Sequence, residues 1–386
     1  MAIKPSGTVL VVQRRLTHYR VPFFQALRSE LAARGQTLQL AVGDATPQEE
    51  AKNDTGQLDW SIHLPTRYFW DGRICWQPFA KALRNADLVV VTHENKLLYN
   101  LVAQFVHRRR RVALWGHGAN LQGDASSLRE RFKRMTARQA DWWFAYTQMS
   151  LPLLEQVGYP RERISVLNNA VDTRAMAAMH AQVEASSLQS LRARLNLDDK
   201  LVGISIGSLY TEKRVAFMLE AATRIHLALP QFVLLVVGAG PQQNMAQAFC
   251  QQHDWAHYLG ATSGQAKVDL LALSSVMLNP GLVGLGILDS FVCQVPMVTT
   301  DCGLHSPEIA YLVNGENGLM TANAMDAYVT QTIDVLRDPV ALARLRAGCS
   351  ASARMYTIEN MANSFADGVT ACLARPLQRF DKRGGN

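Results

Sequence analysis

The chain has 386 residues, 48% hydrophobic and 18% charged, a balance that excludes a disordered or fibrous protein. That length exceeds what one core holds and fits two domains, while no apolar run approaches the roughly 20 residues that span a bilayer. The net charge of +7 is unevenly spread: residues 1–174 carry 24 Lys and Arg against 15 Asp and Glu, and the remainder carries 15 against 17.

The opening Met-Ala-Ile-Lys-Pro-Ser-Gly runs straight into a predicted strand at 9–13, leaving no room for a secretory signal. A second strand is expected at 38–42, with a helix over 22–34 between them that Gly35 closes. The intervening loop, Arg14-Arg-Leu-Thr-His-Tyr-Arg20, holds three arginines. Guanidinium forks pair bidentately with phosphate, so this loop suits a phosphate-bearing ligand; the plainer reading is a solvated surface turn. Tyr68-Phe-Trp-Asp-Gly-Arg-Ile-Cys-Trp76 places aromatics of the membrane-interface type beside a turn.

Strands at 88–91 and 112–115 follow, and the second runs into Gly116-His-Gly-Ala-Asn120. A histidine between two glycines past a buried strand is poorly placed for core packing. It is well placed to point across an interdomain cleft, with loop stabilisation as the alternative for His117. In the stretch 126–140, Leu128, Phe132, Met135 and Gln139 fall near one helical face, with Arg129, Arg131, Lys133, Arg134 and Arg138 around them. That pattern is either a basic amphipathic helix for the headgroup layer or the core stripe of an ordinary α/β helix. Such one-sided charge points to an anionic partner. No nucleic-acid motif is present and the aromatics do not alternate with basic residues, which favours a lipid surface.

From 201 onward, strands at 201–207, 232–237, 255–259, 274–278 and 295–299 alternate with helical stretches. Each of the first four is followed by a glycine turn, the richest being Pro280-Gly-Leu-Val-Gly-Leu-Gly-Ile-Leu-Asp-Ser290. Such turns leave backbone N–H groups free at the positive end of a helix, where a phosphate or sugar hydroxyl can be met without side-chain obstruction. Lys213 lies six residues after Gly207, and Asp289 sits in the first turns of the helix after the glycine run. The recurring strand–turn–helix unit implies α/β architecture: two doubly wound, Rossmann-like domains facing a cleft, with ligands beyond the carboxyl ends of the strands. The six cysteines lack metal-type spacing and read as reduced core residues.

Five motifs occur in order: Gly207-Ser-Leu-Tyr-Thr-Glu-Lys213, Gly238-Ala-Gly-Pro241, Gly284-Leu-Gly-Ile-Leu-Asp289, Val295-Pro-Met-Val-Thr-Thr-Asp301 and Gly303-Leu-His-Ser-Pro-Glu308. Together they resemble the nucleotide-sugar half of a family-4-type retaining bacterial glycosyltransferase of the GT-B fold. Asn168-Asn-Ala-Val-Asp172 resembles that family's Asn-Gly-Val-Asp turn at the domain junction. The resemblance covers essentially the whole chain. It implies that Gly207, Ser208, Lys213, Gly284, Leu285, Gly286 and Asp289 bind the donor. It places His117 near the sugar as the catalytic histidine, and Arg14, Arg15, His18, Tyr19 and Arg20 on the acceptor side. Two departures stand out. Ser208 occupies the place of the usual diphosphate-binding Arg, and Gly281 and Asp289 stand where the family carries Glu-x7-Glu.

The resulting expectations are an acceptor-side domain at 1–170, a helical linker at 171–198 and a nucleotide-sugar domain at 199–357. A helix at 358–375 crosses back to the first domain, and a tail spans 376–386. The expected reaction moves a sugar from a nucleotide diphosphate-sugar to a hydroxyl of a saccharide acceptor, including one linked to a polyisoprenyl diphosphate, in cell-surface polysaccharide synthesis. No metal or other cofactor is expected; the partners are donor, acceptor and an anionic membrane surface, with no nucleic acid. The expected location is cytoplasmic, peripheral on the inner face of the membrane. An inactive GT-B partner subunit and a nucleotide-sugar epimerase are the alternatives.

Overall fold

The computed structural model describes residues 6–51, 54–94, 96–106, 110–118 and 128–376. The chain divides into two compact units, one formed by residues 1–172 with 358–386 and the other by 173–357.

The first unit is built on β1 (Gly7–Gln13), β2 (Gln36–Val42), β3 (Ile62–His63), β4 (Arg67–Phe69), β5 (Ile74–Trp76), β6 (Leu88–Thr92), β7 (Arg111–Gly116), β8 (Trp142–Ala145) and β9 (Ile164–Val166). Seven of these form one parallel sheet in the order β3-β2-β1-β6-β7-β8-β9. The apolar runs Val9-Leu-Val-Val12 and Val89-Val-Val91 lie buried at its centre, as a sheet covered on both faces requires. β8 went unassigned in the sequence because Trp142-Trp-Phe-Ala145 is short and lacks β-branched residues, and β9 because Ile164–Val166 spans only 3 residues.

The helix Val21–Ala33 buries Phe23, Phe24, Leu27 and Leu31, one stripe at 3–4 residue spacing. Against it packs the helix Ile358–Ala374, whose Phe365 stacks on Phe144 at 4.1 Å and meets Phe23 and Trp115 edge-on. Arg34 fastens the pair by reaching Asp367 at 2.9 Å. The final helix is thus part of the first unit's core.

Strands β4 and β5 form a separate antiparallel hairpin with Phe69 opposite Ile74. Its turn has positive φ at Trp70, Asp71 and Gly72, and Trp70 is 71% exposed. In the helix Leu128–Arg138 the sequence left two readings open. Thr136 and Ala137 face inward with the following Ala140, while Phe132 and Met135 are exposed beside exposed Arg131. The core-stripe reading therefore fails. Small residues make the packed face, with Gln104 donating to the Thr136 carbonyl and Trp143 to that of Ala137. Among the described residues no helix is long and apolar enough to cross a membrane.

The second unit has β10 (Leu201–Ile206), β11 (Phe232–Val237), β12 (Ala256–Gly260), β13 (Val276–Leu278), β14 (Met297–Thr300) and β15 (Gly318–Thr321). They pair in parallel in the order β12-β11-β10-β13-β14-β15. The stretch expected as a helical linker forms the helices Arg174–Ala181 and Ala185–Arg194, which pack on the helix Gly264–Leu273 within this unit. The order of the strands reverses between β10 and β13, and a reversal of this kind opens a crevice at the carboxyl ends.

Candidate functional site

At that reversal two turns leave the sheet side by side. The turn after β10 begins with Gly207 at φ 132° and passes so close to Gly238 that a Cβ there would overlap the Gly207 carbonyl oxygen. Gly207 and Ser208 are exposed. The turn after β13 is clasped to it. Leu282 N–H donates to the Glu212 carbonyl at 2.8 Å, and the Lys213 ammonium donates to the Leu282 carbonyl at 2.6 Å. Burial lowers the Lys213 pKa from its ordinary value, the mark of a cation held with little water around it.

Gly281 sits inside this clasp. A Cβ at that position would overlap the Glu212 carbonyl oxygen and lie 2.6 Å from the Lys213 carbonyl carbon. The side chain that the family usually carries here has no room, which accounts for the departure seen in the sequence.

Two residues that sequence reasoning missed support the turns. Arg214, in the left-handed region at φ 56°, donates to the Pro280 carbonyl at 3.2 Å, Thr300 Oγ1 at 3.0 Å and Asn323 Oδ1 at 2.7 Å. It thereby ties the ends of β13, β14 and β15 to the β10 turn. His305 accepts from Val283 N–H at Nδ1 (3.1 Å), and its Nε2 donates to the Thr300 carbonyl at 2.7 Å. Those partners fix the neutral tautomer, and burial lowers the imidazole pKa further. A dibasic Lys-Arg pair and a His two residues past a Gly were the available signals.

Beyond the clasp, Gly284, Leu285 and Gly286 lead into the helix Gly286–Val292, so their N–H groups fall before its i to i−4 ladder. Asp289, expected to face a ribose, carries a partner of its own: Lys267 lies 2.6 Å from Oδ2. Burial pushes the carboxyl pKa up while the Lys267 ammonium opposes that shift.

The acceptor-side residues divide sharply. Arg14 pairs with both Glu49 oxygens, at 2.7 and 2.5 Å, and with the Tyr68 hydroxyl at 3.0 Å, holding the Glu49 pKa down to about 2. Arg15 forks onto Asp54 at 2.6 and 3.1 Å. The expectation of three arginines open to a phosphate is therefore corrected: internal carboxylates already occupy two of the forks. His18 is bound through its backbone N–H to Asp54, and Tyr19 is 38% exposed. Arg20 turns inward, with its guanidinium carbon 5.3 Å from the Tyr19 ring, 5.4 Å from Trp115 and 5.8 Å from Tyr146. His117 joins this group. Its carbonyl accepts from Ser150 Oγ at 3.0 Å, and its ring lies 5.9 Å from that of Tyr146. Trp115 and Tyr146, at the ends of β7 and β8, were not foreseen. Among the described residues no group of three or more His, Cys, Asp or Glu is placed to hold a metal ion.

Two family profiles match this chain. Residues 23–175 match Glycosyltransferase Family 4, and residues 200–338 match Glycosyl transferases group 1. The chain belongs to the family-4-type glycosyltransferases. Its fold is GT-B, shared at low identity with solved glycosyltransferases. Anabaena Alr3699/HepE in complex with UDP and glucose aligns at a TM-score of 0.62 and 15% identity, over 94% of this chain and 99% of that one. A glycosyltransferase from Rickettsia africae gives 0.66 at 13%, over 96% and 99%. WaaG, a glycosyltransferase involved in lipopolysaccharide biosynthesis, gives 0.56 at 14%, over 93% and 98%. A curated relative, the GDP-mannose-dependent alpha-(1-6)-phosphatidylinositol monomannoside mannosyltransferase of Mycolicibacterium smegmatis, is 26% identical over 184 residues. That match covers 44% of this glycosyltransferase and 46% of the relative, less than half the length of either.

Proposed function

We propose that this glycosyltransferase moves a sugar from a nucleotide diphosphate donor to a hydroxyl of a saccharide acceptor carried on a polyisoprenyl diphosphate, with retention of configuration and no metal. The observation that carries the reading is the clasp of the two turns around Lys213. Departure of the leaving group puts negative charge on a diphosphate. A partly desolvated ammonium, together with the N–H groups of Gly284, Leu285 and Gly286 that fall outside the helix ladder, is suited to meet it, each such donor contributing about 3 kcal/mol. His117 touches the sugar in this reading. Asp289 is engaged by Lys267 and Gly281 offers no carboxylate, so these two positions supply no carboxylate pair for a double displacement. A front-face route remains. The UDP and glucose of HepE and the GDP-mannose of the mycobacterial enzyme favour a nucleotide-sugar donor here as well.

The acceptor reading draws on the first unit. Its basic excess, the exposed Phe132 and Met135 beside Arg131, and the exposed Phe69 and Trp70 of the hairpin suit the cytoplasmic face of an anionic membrane. Each basic residue near such a surface adds about 1 kcal/mol, enough for reversible, salt-sensitive attachment.

A donor panel incubated with membrane extract and read by mass spectrometry tests the reaction. Lys213→Ala should lower turnover about 100-fold with the fold intact; turnover like that of the native enzyme would end the assignment. A second reading, a nucleotide-binding subunit without transfer, is favoured by Gly281 and Ser208. Nucleotide binding with no glycosylated product from any donor would select it.

A further inference from the structure

We infer that Arg20 is the centre of an anion site within the first unit that takes a phosphoryl or diphosphoryl group. The site deepens the acceptor reading above, and rests on it only for what carries the phosphate.

The argument begins with burial. Arg20 is 8% exposed, and among the described residues the only hydrogen-bond partner of its guanidinium is the Met361 sulfur at 4.0 Å. A guanidinium stays charged at any ordinary pH, and burying that charge without a counter-charge is costly. Arg14 and Arg15 in the same loop set the contrast, since each is met by a carboxylate fork. The rings of Tyr19, Trp115 and Tyr146 stabilise the cation through its faces. Its five N–H donors lie in the plane, at the edge, where the thioether is a weak acceptor. A planar fork gripped by its faces and met at its edge by a thioether alone among the described residues is preorganised for a tetrahedral oxyanion.

A neighbouring helix end reinforces the sign. Arg20 is the N-cap residue of the 13-residue helix Val21–Ala33, so that helix's positive end adds to the local potential. A dianionic phosphoryl gains more from this field than a carboxylate does.

Titration of inorganic pyrophosphate into the full chain carrying Lys213→Ala, which removes the donor-side cation, followed by calorimetry, tests the site without donor or transfer. Arg20→Gln should weaken binding at least tenfold, and Arg20→Lys, which keeps the charge but loses the fork, should fall between. Lys213→Ala should leave this binding in place. Pyrophosphate bound equally well by Arg20→Gln, or lost in Lys213→Ala, would overturn the inference. Thermal unfolding covers the structural alternative. If the arginine is kept for a ligand, Arg20→Met should melt no lower than the native chain without ligand, yet lose the rise in Tm that pyrophosphate gives. A lower Tm for ligand-free Arg20→Met would make Arg20 a structural cation and sink the site. Sedimentation with neutral vesicles doped with farnesyl diphosphate then separates the sources. Arg20-dependent capture assigns a lipid carrier, and Arg20-dependent pyrophosphate binding without capture assigns a soluble phosphorylated ligand. Failure of sugar transfer would leave these results untouched, so the two readings fail separately.

Discussion

A methyl group added at Gly281 would occupy space that the backbone of the β10 turn already fills. Its carbon would overlap the Glu212 carbonyl oxygen and come within 2.7 Å of that of Lys213. Ordinary carbon–oxygen contacts lie at about 3.3 Å or more, so one turn must retreat by on the order of 1 Å. That retreat stretches the Leu282-to-Glu212 bond from 2.8 Å past hydrogen-bond range and takes the Leu282 carbonyl away from the Lys213 ammonium. One backbone bond at about 1 kcal/mol, one charged bond at about 2 and overpacking at about 1 come to about 4 kcal/mol for Gly281→Ala. This is roughly a thousandfold in the equilibrium that keeps the clasp closed. Urea unfolding of the full chain measures the loss if the fold absorbs it; calorimetry with UDP and GDP measures it if the turn opens instead. Gly281→Glu should do at least as much harm, although it restores the commoner family residue. Stability within about 0.5 kcal/mol of native together with unaltered nucleotide affinity would refute the close approach, and improved transfer by Gly281→Glu would refute the account of why glycine is there.

Asp289→Asn removes the partner of a half-buried Lys267, so stability should drop by about 1–3 kcal/mol and recover when Lys267→Met is added, with nucleotide affinity changed less than threefold. A large affinity loss at unchanged stability would return Asp289 to the donor. His305 has its pKa lowered by burial, so its contribution to stability is complete above about 6.5, the unfolded value, and is lost as pH falls through the lower folded value. Unfolding free energies measured from pH 7.5 to 5 should fall less in His305→Asn than in the native chain, and equal slopes would remove His305 from the turn's support. His117→Ala should depress transfer at least roughly tenfold while nucleotide binding holds; equal loss of both would mean a collapsed loop.

What the sequence made legible was whatever depends on local pattern. The apolar runs of β1, β6, β10 and β11 and the glycines at 207, 238 and 284 declare parallel strands and their turns without any partner. What stayed hidden depends on partners distant in the chain. Nothing near Asp289 announces Lys267, 22 residues earlier, and nothing near Arg14 announces Glu49. The same holds for Arg214, whose three acceptors lie 66 to 109 residues away. The absence of a carboxylate at 281 was visible as a letter. Its cause, a backbone carbonyl where the side chain would go, was not.

The return of the helix Ile358–Ala374 gives the first unit a peculiar order of birth. Phe23, Trp115 and Phe144 all emerge from the ribosome before the second unit, yet Phe365, the ring they close upon, emerges only after it. The second unit, contiguous from 173 to 357, is complete by then. Domains generally fold as they are made, N-terminal first. Here the nascent first unit must wait, its aromatic cleft uncovered, through the synthesis of everything between. That interval is when a chaperone would find it, and a chain stopped at Thr357 would never leave it.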